Sequence, residues 1–302
     1  MLLIPSPAAT FAQVNTVAPP SRVDRLHGIV GSSVRGLADR LDRFFSDERS
    51  LAEEQQSSMR LTPTVEWIEA GGSAVTLPIN ARLVLPRLED KLRLQLVTGD
   101  DDASDVAGEE EAPPENISDD TDESRTFLGL VYTSIAEQAR NISVRGGLRA
   151  RDGALKAAAS VRGRFTKPIG IWTARLTQTF FYDGDEFGER TVVDFDHPID
   201  RATLFRSATG VTVTESSEGA ELLQRFLLRR LLAEHTGVEF FVASEGHTDP
   251  VVVADRHITG LTYRKRVWKD WLTLSVRPEL RYPRDLDFDR EAAFIVALEA
   301  VF

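Results

Sequence analysis

The stretch LTLSVRPELRY, residues 272–282, decides the fold, because its apolar side chains recur at every second position. Leu272, Leu274, Val276, Leu280 and Tyr282 share one face, and threonine, serine and charged side chains share the other. A period of two is typical of a β-strand with one apolar and one polar face. The run is about twice as long as a common strand of a soluble protein. The sequence therefore predicts a long, two-faced strand.

The same pattern recurs from Ser58 to the C-terminus. Alternating runs occupy 59–67, 92–96, 155–165 and 172–182, and turn sequences of hairpin length separate them. Counting all such runs predicts about fourteen strands, with twelve to sixteen as the range. The weakest assignment is 220–231, which would also suit a helix. We expect a strand there, because a lone helix would leave the neighbouring strands unpaired.

Strand length separates a membrane barrel from a soluble β-sandwich. A strand of about ten residues, tilted, crosses the hydrocarbon of a bilayer, whereas sandwich strands are shorter. Aromatic side chains lie toward strand ends, as in an interfacial girdle; they are Trp67, Tyr132, Trp172, Phe180, Tyr182, Tyr263, Trp271 and Tyr282. Only a closed sheet satisfies every backbone group in lipid. The sequence thus predicts an all-β fold, a transmembrane up-and-down antiparallel β-barrel.

The C-terminal strand ends on an aromatic residue. Its alternating apolar face consists of Phe294, Val296, Leu298, Ala300 and Phe302. This pattern resembles the last strand of bacterial outer-membrane β-barrel proteins, in which it is the signal read by the barrel assembly machinery. The resemblance implies an outer-membrane location, contact with outer-membrane lipid and lipopolysaccharide, and the assembly machinery as a partner during biogenesis.

A wider resemblance covers Ser58 to Phe302. It rests on LPRL at 85–88, DGDEFGE at 183–189 and WLTLSVRPELRYPR at 271–284. These segments resemble an uncharacterised family of outer-membrane β-barrel proteins. The resemblance implies the β-barrel fold and the outer-membrane location, and it implies no activity.

The first 56 residues precede the barrel, which we assign to 57–302. Residues 1–21 are predicted to be a partial export signal with a proline-rich lead, or else a disordered tail. Residues 22–56 contain an apolar stripe at helical spacing from Leu26 to Phe45, which predicts a periplasmic amphipathic helix. That helix could dock on the barrel, self-associate or lie on a membrane surface.

The net charge of −11 is concentrated in one segment. Residues 100–124 hold seven Asp and five Glu without Lys or Arg, so the rest of the chain is nearly neutral. A broad basic face for nucleic acid is therefore not expected. The segment is predicted to be an outer loop, and three roles stay open: a solvated loop, a divalent-cation site beside lipopolysaccharide phosphates, or a gate that folds into the lumen.

The polar face of the strands is predicted to line the lumen and is rich in arginine. The pore-lining candidates are Arg82, Arg93, Arg145, Arg149, Lys156, Arg162, Arg164, Arg175, Arg264, Arg266, Arg277 and Arg281, with the acids Glu66 and Glu279. A basic, hydrated lumen favours anions, so the sequence predicts a channel or passive transport pore. Alternatively, the arginines only brace the barrel through ion pairs with loop acids.

A second function fits the N-terminal helix. A structural or assembly barrel could use residues 22–50 to dock a periplasmic partner, or the helix could plug the pore. In either case we expect the N-terminal helix and the C-terminus to be periplasmic, because an even number of strands returns both to one side.

Enzymatic chemistry is not expected. The chain has no cysteine, which rules out disulfides and thiolate sites, and it has no metal-binding or phosphate-binding motif, so no cofactor is predicted. His247, Asp249 and Ser244 could be drawn as a hydrolase triad, but neighbouring positions on a strand point to different faces.

Overall fold

The alternating runs of the sequence form one continuous antiparallel sheet. A computed structural model describes residues 57–302 except 70, 86–91, 100–124, 138, 152, 185, 218 and 269–270, and it also describes five residues between 37 and 45. The predicted segments 1–21 and 100–124, and most of 22–56, lie outside the described residues. No helix in the described part of the chain is long and apolar enough to span a membrane.

The sheet contains sixteen strand segments in its described part. The first eight are β1 (Ser58–Leu61), β2 (Thr64–Ile68), β3 (Gly72–Thr76), β4 (Ile79–Val84), β5 (Leu92–Gly99), β6 (Arg125–Glu137), β7 (Arg140–Arg151) and β8 (Ala154–Ile169). The others are β9 (Trp172–Tyr182), β10 (Phe187–Pro198), β11 (Thr203–Thr214), β12 (Glu221–Ala233), β13 (Thr236–His247), β14 (Val253–Trp268), β15 (Leu272–Pro283) and β16 (Glu291–Val301). A 3-10 turn, Arg284–Leu286, lies between β15 and β16.

The sheet closes into a barrel of fourteen strands. From β4 onward each strand pairs with its neighbours in sequence, and β16 completes the ring by pairing with both β1 and β2. Arg60 faces Val301 and Trp67 faces Phe294, so β1 and β2 are two halves of one strand along β16. In the same way β3 pairs with β2, and β4 pairs with β1. The predicted fold and strand number are therefore confirmed.

The ambiguous segment at 220–231 is a strand. β12 pairs along its length with β11 and β13, for example Arg229 with Leu204 and with Glu239. Its sequence resembles a helix because leucines lie on both faces: Leu227 is buried, whereas the adjacent Leu228 is 39% exposed. Leucine on the inner face hides the alternation by which the other strands can be recognised.

The barrel has two distinct ends. Phe302 and the short β8–β9, β10–β11 and β12–β13 turns share one end, which we call the terminal end. The segment 100–124 connects two strands at the opposite end, which we call the loop end. At the terminal end the Asp200 carboxylate accepts hydrogen bonds from the Ala202 amide and the Thr203 hydroxyl. These bonds, the amide bond first, lower the pKa of Asp200.

The two faces of the barrel wall differ sharply. Phe240 points outward and is 49% exposed, whereas Phe241 points inward and is 0% exposed. The outward face carries a belt of exposed leucine, valine and phenylalanine, and the inward face carries most of the buried arginine, aspartate, glutamate and threonine. An apolar outer face and a polar inner face are the arrangement expected of a barrel surrounded by hydrocarbon.

Candidate functional site

The fourteen predicted pore-lining residues lie on the inner face of the wall, as the strand registers show. The structure does not bring them into one cluster. Some meet at a cavity on one wall, others form ion pairs on another wall, and Lys156 lies apart near the loop end opposite Arg149. The lumen therefore has regions of different chemistry.

A basic cavity lies on the inner wall formed by β4–β8. Arginine side chains from four of these five strands line it: Arg82, Arg93, Arg145, Arg162 and Arg164. Gln95, Thr133, Asn141, Ser143 and Ser160 complete its polar lining, and none of the described lining residues is acidic. Its volume of about 40 Å³ holds roughly three water molecules. Guanidinium, hydroxyl and amide groups are the donors that bind carboxylate, sulfate and phosphate oxygens.

On the β9–β11 wall the inner charges are paired. Arg206 Nε lies 2.5 Å from Asp196 Oδ1, and Arg206 Nη2 lies 3.0 Å from Asp196 Oδ2. Arg175 approaches the same carboxylate at 3.9 Å. Arg206 and Asp194 are 0% exposed, so this part of the lumen excludes solvent. Removing one partner of such a buried pair leaves an uncompensated charge.

A second paired cluster joins β12 and β13. Glu239 accepts hydrogen bonds from Arg225 at 3.2 Å and from Arg229 at 2.5 Å. The Arg225 guanidinium also lies over the Phe241 ring, 5.0 Å from its centroid. These contacts hold both arginines flat against the inner wall.

The network of β14, β15, β16 and β2 crosses the point of closure. Arg281 donates to Glu66 at 2.6 Å and to Glu279 at 2.7 Å, and Arg277 lies 3.4 Å from Glu279. Next to it, Arg264 donates to Glu299 at 2.7 Å. These contacts tie the last strands to the first half-strands. The acids lie on strands, whereas at the loop end Arg149 pairs with Asp183 of a loop at 3.1 Å.

Five described residues of the N-terminal region form a helical segment inside the barrel. They are Leu37, Arg40, Leu41, Phe44 and Phe45. Leu37 and Leu41 pack on Leu204 of β11, and both Leu41 and Leu204 are 0% exposed. Leu231 of β12 and Phe45 flank the same contact.

Two cation–π contacts hold the aromatic part of the helical segment. Arg229 lies 5.3 Å from the centroid of Phe45, and Arg266 lies 5.7 Å from that of Phe44. The glycine at 237 leaves space for both rings, because a Cβ there would lie 2.6 Å from Phe44 Cε1. The wall and the helical segment therefore fit each other closely.

The helical segment and the basic cavity lie across the lumen from each other. β6, in the middle of the cavity wall, is seven strands from β13, in the middle of the wall that contacts the helical segment. Both features lie toward the terminal end, since Arg82 and Leu204 are close to the terminal ends of their strands. At this level the lumen has an apolar, helix-covered side and an arginine-lined side.

Sequence reasoning missed several inner charges. The omitted residues are Asp194, Asp196, Arg206, Arg225, Arg229, Glu239, Glu245 and Arg256. The signal was present in β10, where Asp194 and Asp196 flank the outward Phe195. In β12 the alternation is less clear, because leucines face inward between the arginines. Pairing across strands depends on register, and a single sequence does not give the register directly.

His247, one of the three residues that could be drawn as a hydrolase triad, pairs with Asp255 and not with Asp249. His247 Nδ1 lies 2.7 Å from Asp255 Oδ2 at the loop end, and both side chains are partly exposed. Ser244 is paired in register with His257. Within the described residues no group of three or more His, Cys, Asp or Glu could hold a metal ion.

Four residues of the C-terminal pattern share the outer face of β16, and the fifth, Phe302, directly follows the strand. Phe294 is 42% exposed and Leu298 37% exposed, whereas Ile295 between them is buried. The Phe302 ring contacts that of Trp271, with 5.7 Å between centroids. The apolar face therefore points toward lipid, and recognition by the assembly machinery remains a prediction.

Comparison with known proteins gives structural likeness without sequence likeness. No protein-family model and no curated protein matches the sequence. The high-pH structure of Pseudomonas putida OprB matches 82% of this chain and 94% of its own, with a TM-score of 0.50 and 11% identity. Outer-membrane expressed OmpT of Vibrio cholerae matches 82% and 97%, with a TM-score of 0.45 and 11% identity. KdgM porin matches 80% and 99%, with a TM-score of 0.40 and 6% identity.

At such low identity the likeness to OprB concerns the fold alone. It agrees with the closed ring of antiparallel strands and with the apolar belt on the outer face. The chain therefore has a porin-like fold, a closed antiparallel β-barrel with an apolar outer face.

Proposed function

We propose that the protein is an outer-membrane channel that favours small anions and whose terminal end faces the periplasm. The observation that carries the proposal is the basic cavity, in which five arginines and neutral polar groups share one enclosed space. Arginine stays protonated at any physiological pH, so the five guanidinium groups of the cavity keep their positive charges. A positive constriction attracts anions and repels cations.

The helical segment supports a refinement of this proposal, which is that it narrows the lumen as a plug. Its apolar residues Leu37 and Leu41 already pack on Leu204, so they are not available to a periplasmic partner in this arrangement. This contact favours plugging over docking of a partner. In this proposal ions pass along the arginine-lined wall, and the passage widens when the helical segment leaves.

The size of the expected selectivity follows from Coulomb's law. One unit charge acting on a monovalent ion at about 8 Å contributes roughly 0.5–2 kcal/mol between water-like and protein-like dielectric constants. That energy changes the partitioning of the anion into the constriction by about two- to thirtyfold for each arginine removed, and that of the cation by the same factor in the opposite direction.

The test is the reversal potential of the purified barrel in planar bilayers under a potassium chloride gradient. We expect chloride preference in the native protein and a several-fold smaller preference in Arg93→Gln and Arg162→Gln. Lys265→Gln is the matched control, since it removes one positive charge from the exposed outer face of β14 and should leave selectivity unchanged. Potassium preference, or a folded barrel that never conducts even without its first 56 residues, would overturn the proposal.

A further inference from the structure

The outward face of the barrel carries polar side chains on one wall. They form what we call the polar row, with one residue on each of five adjacent strands from β9 to β13: Gln178, Thr191, Thr209, Gln224 and Ser244. Their outward direction follows from register, since the alternate residues Thr177, Val192, Ala208, Arg225 and Ala243 are buried inside. The row lies within the apolar belt, because Phe180 and Leu176 flank Gln178 on the same face and both are exposed.

At the same depth the outer face is apolar on the strands away from this wall, whereas on the adjacent β14 His257 faces outward and is paired in register with Ser244. The residues three to five positions from the loop ends of the other long strands include Leu96, Leu128, Leu148, Leu280 and Phe294. Leu128 is 48% exposed and Leu148 50% exposed, as expected for side chains that contact lipid. The polar row and the adjacent His257 are therefore a local departure confined to β9–β14.

The depth of the row places it in hydrocarbon. Each of its residues is three to five positions from the loop end of its strand, where Tyr182 and Phe187 form an aromatic pair with centroids 4.8 Å apart. At about 3.3 Å of rise per residue and a tilt near 40°, the row lies about 8–13 Å below those ends. Glu189, an exposed outward residue two positions nearer the loop end than Thr191, lies at the polar boundary, and the row lies below it, where acyl chains offer no hydrogen bonds.

Hydrogen bonds within the wall satisfy only part of the row. Thr191 Oγ1 donates to Gln178 Oε1 at 2.5 Å, and Thr209 Oγ1 donates to Gln224 Oε1 at 2.6 Å. Gln224 Nε2 donates to Ser207 Oγ at 3.2 Å. Among the described residues, the Nε2 group of Gln178 has no acceptor and points toward the membrane. Polar groups that remain unpaired in hydrocarbon are strongly unfavourable, so the row needs a partner surface at the same depth.

We propose that this partner is a second copy of the same chain, docked wall to wall through β9–β13. A second barrel sits at the same depth in the same membrane, so its own polar row meets this one at matching height. Glutamine, threonine and serine each donate and accept hydrogen bonds, which makes the row complementary to itself across a twofold axis along the membrane normal. The wall is about 20 Å wide, and its exposed Phe195, Phe226 and Val242 supply apolar contact around the row.

Crosslinking through single cysteines tests the proposal, because the chain has no cysteine of its own. Thr209→Cys places a thiol on β11, the central strand of the wall, and Leu128→Cys is the matched control on the outward face of β6. Outer membranes containing each full-length variant would be treated with a short bis-maleimide crosslinker. We expect Thr209→Cys to give a band of twice the chain mass and Leu128→Cys to give none.

Replacement of the row tests its role separately. Gln178→Leu with Gln224→Leu should leave heat modifiability and conductance of the barrel intact, and should raise the dimer dissociation constant in detergent about tenfold. Equal crosslinking at both cysteine positions, a Thr209→Cys product with a different protein, no product at all, or a dimer unaffected by the glutamine replacements would each overturn the proposal.

Discussion

Replacing Leu41 by alanine should release the helical segment from the lumen wall. Leu41 is 0% exposed and packs on Leu204, which is also 0% exposed, so the change removes side-chain volume from a filled contact. Substitutions of this kind in well-packed sites cost about 2–5 kcal/mol. When the helix is undocked, residue 41 is in water in both the native protein and the variant. The substitution therefore destabilises only the docked state. The ratio of undocked to docked helix should rise about 30-fold to a few thousandfold.

The assay is single-channel recording in planar bilayers, in which undocking is read as dwell time in a higher-conductance state. The matched control is Arg40→Lys, which changes an exposed residue of the same helix while keeping its charge. The control should have the same dwell times as the native protein, whereas Leu41→Ala should spend far longer in the high-conductance state. If Leu41→Ala folds, migrates as a heat-modifiable barrel and keeps native dwell times, the helical segment is not the plug.

Three further predictions follow from local contacts. Gly237→Ala should also favour the high-conductance state, because its Cβ would lie 2.6 Å from Phe44 Cε1. The control Gly210→Ala on the same inner wall meets only ordinary contacts at 3.5 Å and should keep native dwell times. The same single-channel recordings test both variants. Asp196→Ala removes the carboxylate that contacts buried Arg206 and should lower the free energy of unfolding by about 3–5 kcal/mol in urea titrations, and an unchanged midpoint would contradict the pairing. The native protein should migrate faster unboiled than boiled on SDS gels and have β-rich circular dichroism, and a heat-insensitive, water-soluble protein would contradict the membrane barrel.

The fold could be predicted from the sequence because one physical constraint acts on almost every strand. Lipid requires apolar side chains outside and permits polar ones inside, so alternation such as that of residues 155–165 reports strand, length and face together. The number of strands followed from counting such runs. β12 was the hardest case because Leu223 and Leu227 face inward among charged neighbours, where apolar side chains are not required.

The chemistry of the lumen was predicted less completely. Which arginines point inward follows from alternation, but which of them have acidic partners depends on register between strands, as in the pair of Arg206 with Asp196. The sequence alone suggested bracing by loop acids, and among the described residues the structure shows ion pairs with acids on neighbouring strands and with Asp183 of a loop. The position of Leu41 against Leu204 joins residues far apart in sequence, and no local pattern indicates such a contact.

The polar row was invisible for a different reason. Single threonines and glutamines on an otherwise apolar face look like ordinary variation when each strand is considered alone. Only the alignment of Thr191 with Gln178, and of Thr209 with Gln224, shows that they continue across neighbouring strands.

The most direct test of the account is the chloride conductance of a chain that carries Leu41→Cys and Leu204→Cys joined by a cleavable crosslinker. The account predicts low conductance while the link holds the helical segment on the wall, a rise when the link is cleaved, and chloride preference in both states. Conductance that does not change when the link is cleaved, or potassium preference in either state, would contradict the claim that the helical segment and the basic cavity share one anion path.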